Sequence, residues 1–118
     1  MKYLLVLMLV VGPVLHAATL PISTAYTVSL TWDAPVNNQD PVVGYFAYKS
    51  LSGDNNFSEL NSSPVIVTSY SDDALLYGVS YDYYVTSVDA SGVQSVPSNT
   101  VTLSIPFVPY TPVVGAIK

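Results

Sequence analysis

The residues of this sequence best able to do chemistry are its carboxylates, Asp33, Asp40, Asp54, Glu59, Asp72, Asp73, Asp82 and Asp89. Two carboxylates at a fixed separation across a cleft can hydrolyse a glycoside, and six to eight oxygen ligands can hold calcium. Asp72 and Asp73 are adjacent, so in an extended chain their side chains point to opposite sides and cannot work as a pair. Nor is there an Asp-x-Asp-x-Asp loop to gather oxygens from Asp72, Asp73, Asp82 or Asp89 around a cation, so the acids read as solvated loop residues. The remaining catalytic inventory is short. Cysteine and arginine are missing, and the single histidine, His16, lies in an N-terminal segment read below as a removable leader. Histidine triads, thiol nucleophiles and His/Cys metal clusters are thereby excluded. The expectation is a protein without catalytic activity, cofactor or metal site.

What the sequence has in quantity is surface for contact. Ten tyrosines, three phenylalanines and one tryptophan occur in 118 residues, only 9% of which are charged. Val, Thr, Ser and Tyr dominate while Lys, Glu and Ala are few, a bias toward pleated, half-buried surfaces and away from helices. The net charge is −5, and clustered cations are lacking. Phosphate backbones and anionic lipid surfaces are therefore poor partners.

Met1 to Tyr3 followed by the apolar run Leu4 to Leu15 and the small residues Ala17-Ala18 has the anatomy of a secretory leader. The run is too short for a membrane span of about 20 residues, so cleavage after Ala17 is preferred over a retained anchor. The mature protein is then expected outside the cell, with no membrane attachment. Without cysteine, no disulfide can staple it in that oxidising compartment. Residues 1–17 are thus assigned to the leader, 18–25 to a segment with a short or missing first strand, 26–106 to one domain and 107–118 to a Pro-rich tail.

Within the domain, period-two alternation marks the strands. Val28, Leu30 and Trp32 share a face in Tyr26 to Trp32. Proline breaks the loop from Asp33 to Pro41 twice. Val42 to Lys49 is the next strand, closed by the turn-prone Ser52-Gly53-Asp54-Asn55-Asn56, with Phe57 to Leu60 as its return. Thr68 to Asp72 leads into the stretch Leu75 to Ala90, around which the rest is organised. Tyr81, Tyr83 and Val85 lie on one side of that strand, and Asp82, Tyr84 and Thr86 on the other. Tyr77-Gly78 marks a turn, and Tyr81 just after it suits a corner in which the ring is buried and the hydroxyl caps the preceding crossover. After a hairpin loop from Asp89 to Ser95, Val101, Leu103 and Ile105 share a face of the last strand. Short strands with turns about every ten residues argue for an all-β sandwich.

Four segments in order resemble a fibronectin type III domain of the kind found in secreted bacterial proteins: Val28 to Pro35, Val43 to Ser50, the corner Leu75 to Tyr81, and Val88 to Gly92 leading to Pro97-Ser98-Asn99. Together they span Tyr26 to Pro106. The resemblance implies an immunoglobulin-like sandwich of about seven antiparallel strands, with strands A, B and E in one sheet and C, C′, F and G in the other. It also implies a core of Trp32, Tyr45, Ala47, Leu75, Tyr81, Tyr83 and Val85. Tyr77 stands where the family usually has proline, and the interval before Trp32 is too short for a full first strand, which leaves the Tyr26–Trp32 strand partly open. In a bacterial-type protein, the acceptor patterns Asn56-Phe57-Ser58 and Asn61-Ser62-Ser63 are coincidental.

If Tyr45 and Ala47 point inward, Phe46 and Tyr48 point out, and Tyr84 and Thr86 point out beside them. Phe46, Tyr48, Tyr84 and Thr86 are therefore the candidate binding surface. Cross-strand aromatic pairing without any partner is the competing explanation. The loop after the central strand lacks Arg-Gly-Asp, so integrin-type adhesion has no support. The expected function is a non-catalytic, secreted binding or cell-adhesion module whose partner is a protein or polysaccharide at the cell surface. The alternative is a structural subunit of an extracellular assembly, joined to copies of itself when the tail, carrying Val113-Val114, adds as a strand to the open edge.

Overall fold

The computed structural model describes residues 6–13, 26–36, 40–107 and 115. The expected cleavage point at Ala17, the segment 18–25, and nearly all of the tail beyond Phe107 lie outside them.

Among the described residues seven strands run in chain order: β1 (Val6–Pro13), β2 (Tyr26–Trp32), β3 (Val42–Leu51), β4 (Ser58–Glu59), β5 (Ser69–Asp72), β6 (Ser80–Asp89) and β7 (Val101–Ser104). They form an antiparallel sheet β1-β2-β5 and a second, four-stranded sheet β4-β3-β6-β7. This is the division into A, B, E and C, C′, F, G that the family resemblance implies. No helix occurs among the described residues.

The core forms because alternate residues of both sheets point at each other. Val28, Leu30 and Trp32 from β2 meet Tyr45 and Ala47 from β3 and Tyr81, Tyr83 and Val85 from β6, with Leu75 and Ile105 closing the ends. Leu30, Ala47, Tyr83 and Val85 are wholly enclosed. Trp32 meets Tyr45 edge to face at 5.3 Å, the arrangement aromatic quadrupoles favour. Among the described residues the Trp32 indole N–H is buried with no hydrogen-bond partner, which sets about 1–3 kcal/mol against its burial.

The corner before β6 is built by a few specific contacts. Leu76 N donates to the Tyr81 hydroxyl at 3.0 Å, and Gly78, at φ +76°, donates to Ile105 O at 2.8 Å. A Cβ at position 78 would run into the Phe107 ring, so both the backbone angle and the space call for glycine.

The first strand departs from expectation. Val6–Pro13, the apolar body of the expected leader, pairs antiparallel with β2 from Val6 opposite Trp32 to Pro13 opposite Tyr26, with a register shift between Val10 and Gly12. In the full chain β2 is thus flanked by β1 and β5, and the expectation of a partly open β2 is corrected for that form. The physical reason is that an eight-residue apolar run rich in Val and Leu satisfies the requirements of a leader and of a strand equally.

Candidate functional site

The β3–β6 ladder places Tyr48 directly opposite Tyr84, and Phe46 opposite Thr86, on the outer face of the four-stranded sheet. The Tyr48 and Tyr84 rings stack at 4.8 Å between centroids with 24° between their planes. Phe57, from the turn that returns the chain to β4, lies on Tyr84 at 4.5 Å and 50°. Tyr84 is therefore the middle ring of three, and each ring remains part-exposed.

Polar groups lock this ledge from its edge. The Tyr48 hydroxyl lies 2.8 Å from the Gln94 amide oxygen and 3.2 Å from Glu59 Oε2, both of which can accept its proton. The same Gln94 oxygen accepts from Thr86 Oγ1 at 2.7 Å. With its oxygen occupied twice, the Gln94 amide has its NH2 as the group left to donate. Burial raises the pKa of both Tyr48 and Tyr84, so the rings stay neutral well above physiological pH.

Of the four surface candidates, Phe46, Tyr48 and Tyr84 lie part-exposed on the outer face, but Thr86 does not belong with them. It is 4% exposed, because Gln94 folds over it, and it acts as a floor beneath the ledge. Two contributors lie outside the alternation argument. The sequence pattern places Phe57 in a return strand and Gln94 in a loop, and each reaches the ledge only through the path of the chain in three dimensions. Each of the proposed core residues, Trp32, Tyr45, Ala47, Leu75, Tyr81, Tyr83 and Val85, is buried.

The acids also differ from the reading as solvated loop residues. Asp72 is buried in β5, where its Oδ2 accepts from the Tyr83 hydroxyl at 2.7 Å and from Lys49 Nζ at 2.8 Å, and its Oδ1 accepts from Ala74 N. Lys49 Nζ also donates to Ala74 O at 2.7 Å and sits 4.8 Å from the Tyr81 ring centroid. Burial, then the Asp72 contact, pushes the Tyr83 pKa far upward. Asp82 Oδ1 accepts from Thr102 Oγ1 at 2.6 Å and its Oδ2 from Gly53 N at 3.2 Å, contacts that lower its pKa, the Thr102 bond most. Asp73, by contrast, is exposed. Among the described residues no three His, Cys, Asp or Glu side chains group in a way that would hold a metal. Asn61 is buried in structural service: its amide oxygen accepts from Ala47 N and its NH2 donates to Tyr45 O and Ser63 O.

A two-layer sandwich of three strands and four, a buried Trp in β2 and a tyrosine-capped corner before β6 are now in place. No protein-family profile matches the chain. A 67-residue stretch is 36% identical to part of the M-protein of striated muscle from Gallus gallus, covering 56% of this chain and 5% of that one. The chain thus spans about one-twentieth of the length of that curated relative. The structure superposes on an Fn3-like protein from Clostridium thermocellum with a TM-score of 0.57 and 24% identity, over 71% of this chain and 81% of the other. The chain has the fold of fibronectin type III and immunoglobulin-like domains. The same fold recurs within the pectate lyase PelI of Erwinia chrysanthemi, solved with tetragalacturonic acid, at a TM-score of 0.58 and 17% identity over 85% of this Fn3-like chain and 28% of the lyase.

Proposed function

We propose that this Fn3-like domain is a secreted, non-catalytic binding module of the bacterial type, which contacts a protein or glycan partner outside the cell through the outer face of β3 and β6. The observation that carries the reading is the three-ring ledge of Tyr48, Tyr84 and Phe57, with Phe46 beside it. Part-exposed aromatic clusters on a rigid sheet are a common form of contact surface. The leader-like N-terminus supports export. The absence of Arg and of clustered Lys argues against nucleic-acid and membrane partners. The likeness to part of a pectate lyase fits a module that works beside, or on, extracellular polysaccharide. The test replaces Phe46, Tyr48 and Tyr84 together by Thr. Binding of labelled protein to an array of immobilised extracellular proteins and glycans should fall while the circular dichroism spectrum is unchanged; equal binding by both proteins would remove the ledge from consideration.

A second reading, a structural subunit joined by strand addition, draws support from β1. That the β2 edge accepts Val6–Pro13 in full-length pairing means it can accept a strand. Val10-Val11-Gly12 and Val42-Val43-Gly44 both fall at register shifts in their ladders, and the tail contains a third such tripeptide, Val113-Val114-Gly115. If residues 1–17 are removed on export, the tail of another copy is a candidate replacement. Size-exclusion chromatography of the exported product, with and without the residues after Pro106, separates the readings: tail-dependent oligomers support assembly, and a monomer at high concentration rejects it.

A further inference from the structure

The ledge restricts the chemistry of what it can hold, and this inference rests on the outer face being the binding surface. Tyr84 is flanked at 4.8 Å by Tyr48 and at 4.5 Å by Phe57, and the Tyr48 hydroxyl is tied to Glu59 and Gln94. The rings are therefore held in place before any ligand arrives, which removes an ordering cost from binding. Glu59 and Gln94 are exposed at the rim, one able to accept hydrogen bonds and the other to donate through its NH2.

Charge eliminates several classes of ligand. Lys49 is the only Lys or Arg among the described residues, and it is committed to Asp72 and Ala74 O. A uronate chain, an acidic peptide or a nucleic-acid strand would meet the Glu59 carboxylate with no compensating cation among the described residues. Size argues against a large protein footprint. A stable protein interface covers about 800 Å² per partner, whereas three aromatic side chains offer about 150–250 Å² each when wholly covered, and here part of each is already covered. What fits is a small, uncharged unit with an apolar C–H face to lie on a ring and hydroxyls around its edge. A hexopyranose has that form.

We infer that the two outer rings of this cluster, Tyr48 and Phe57, form a stacking site for a short run of sugars in a neutral polysaccharide, with Tyr84 between them holding both in place, and with Glu59 accepting from and Gln94 donating to the sugar hydroxyls. The Thr86 hydroxyl donates to the Gln94 amide oxygen from beneath, which leaves the Gln94 NH2 as the group that faces a ligand.

Native affinity electrophoresis of the full chain tests this in gels containing barley β-glucan, xyloglucan, galactomannan, polygalacturonate or no glycan. At least one neutral glycan should retard the wild type. Tyr84→Ala, which removes the ring that holds the outer two in place, and independently Phe57→Ala in the turn, which removes an outer ring, should each weaken that retardation about tenfold or more, with melting curves confirming that each variant is folded. Retardation by polygalacturonate alone overturns the neutral-sugar inference and leaves the face as a binding surface. Equal retardation of wild type and both variants moves glycan binding elsewhere on the protein and overturns it too. No retardation in any gel, while the triple Thr variant still loses binding to an immobilised protein, overturns the glycan inference and leaves the broader reading standing.

Discussion

Tyr83 and Tyr84 are neighbours in the chain and occupy opposite environments. Tyr83 is wholly enclosed between the sheets, its hydroxyl on the buried Asp72 carboxylate. Tyr84 lies on the outer face between two other rings. The same contrast holds on β3, where Lys49 turns inward to Asp72 and Tyr48 turns outward to Tyr84. Inside, an unpaired polar atom forfeits its hydration, so the Tyr83 hydroxyl and the Lys49 ammonium are both turned onto the Asp72 carboxylate. The result is a clamp in which β3 and β6 of one sheet grip β5 of the other through a single carboxylate. Outside, water remains available, so the rings are free to be arranged for contact. One strand therefore supplies both a fastening and a recognition surface, and mutations on its two faces should separate stability from binding.

The largest effect is expected from removing the shared partner. Asp72→Ala leaves the Tyr83 hydroxyl without its acceptor and the Lys49 ammonium without its counter-ion, held only by Ala74 O and the Tyr81 ring, and should cost about 3 kcal/mol in urea unfolding, near the low end for a broken buried pair because Lys49 keeps that bond and some access to water. A loss below about 1 kcal/mol would mean that the clamp does not hold the sheets together. Tyr83→Phe removes one donor while Lys49 still satisfies Asp72, so about 1.5 kcal/mol is expected, with binding unchanged. Tyr81→Phe frees only the Leu76 N–H at the corner and should cost about 1 kcal/mol; no change would show that the corner stands without its cap.

On the outer face, Tyr84→Thr should lower stability by less than about 1 kcal/mol, the scale of a cross-strand pair, and act mainly on binding. A stability loss as large as that of Tyr83→Phe would erase the distinction between the faces. The smallest effect concerns pH. The Thr102 and Gly53 contacts lower the Asp82 pKa in the folded state, so Asp82 contributes stability above its unfolded pKa of about 3.9. That contribution disappears as pH falls through the lower folded value. Asp82→Asn should therefore flatten the acid limb of the stability profile below about pH 4, and an unaltered limb would show that its bonds are not linked to folding.

Much of this was legible in the residues. Alternation located β2, β3 and β6 and the face each buries, and Tyr77-Gly78 before Tyr81 announced the corner. The clamp was within reach of the same reasoning. Asp72 alternates with Tyr70, and Lys49 with Tyr45 and Ala47, so period two already placed both charges on the inner side. Their charge suggested solvent instead, and only the meeting of the two sheets shows that each answers the other. Phe57 and Gln94 gave no such signal, because a turn residue and a loop residue reach the ledge through chain geometry that has no period. The Val6–Pro13 run supports a leader and a strand equally, since both require only a short apolar segment.

The sequence by itself therefore determined the all-β class, the inward and outward faces of the central strands and the lack of cysteine and arginine, because these follow from local alternation and from inventory. The tertiary structure alone decided that Thr86 is a floor rather than a contact, that Phe57 completes the ledge, and that Asp72 joins the two sheets. Each of these depends on residues distant in the chain approaching within a few ångströms, and a linear pattern does not encode which distant residues will meet.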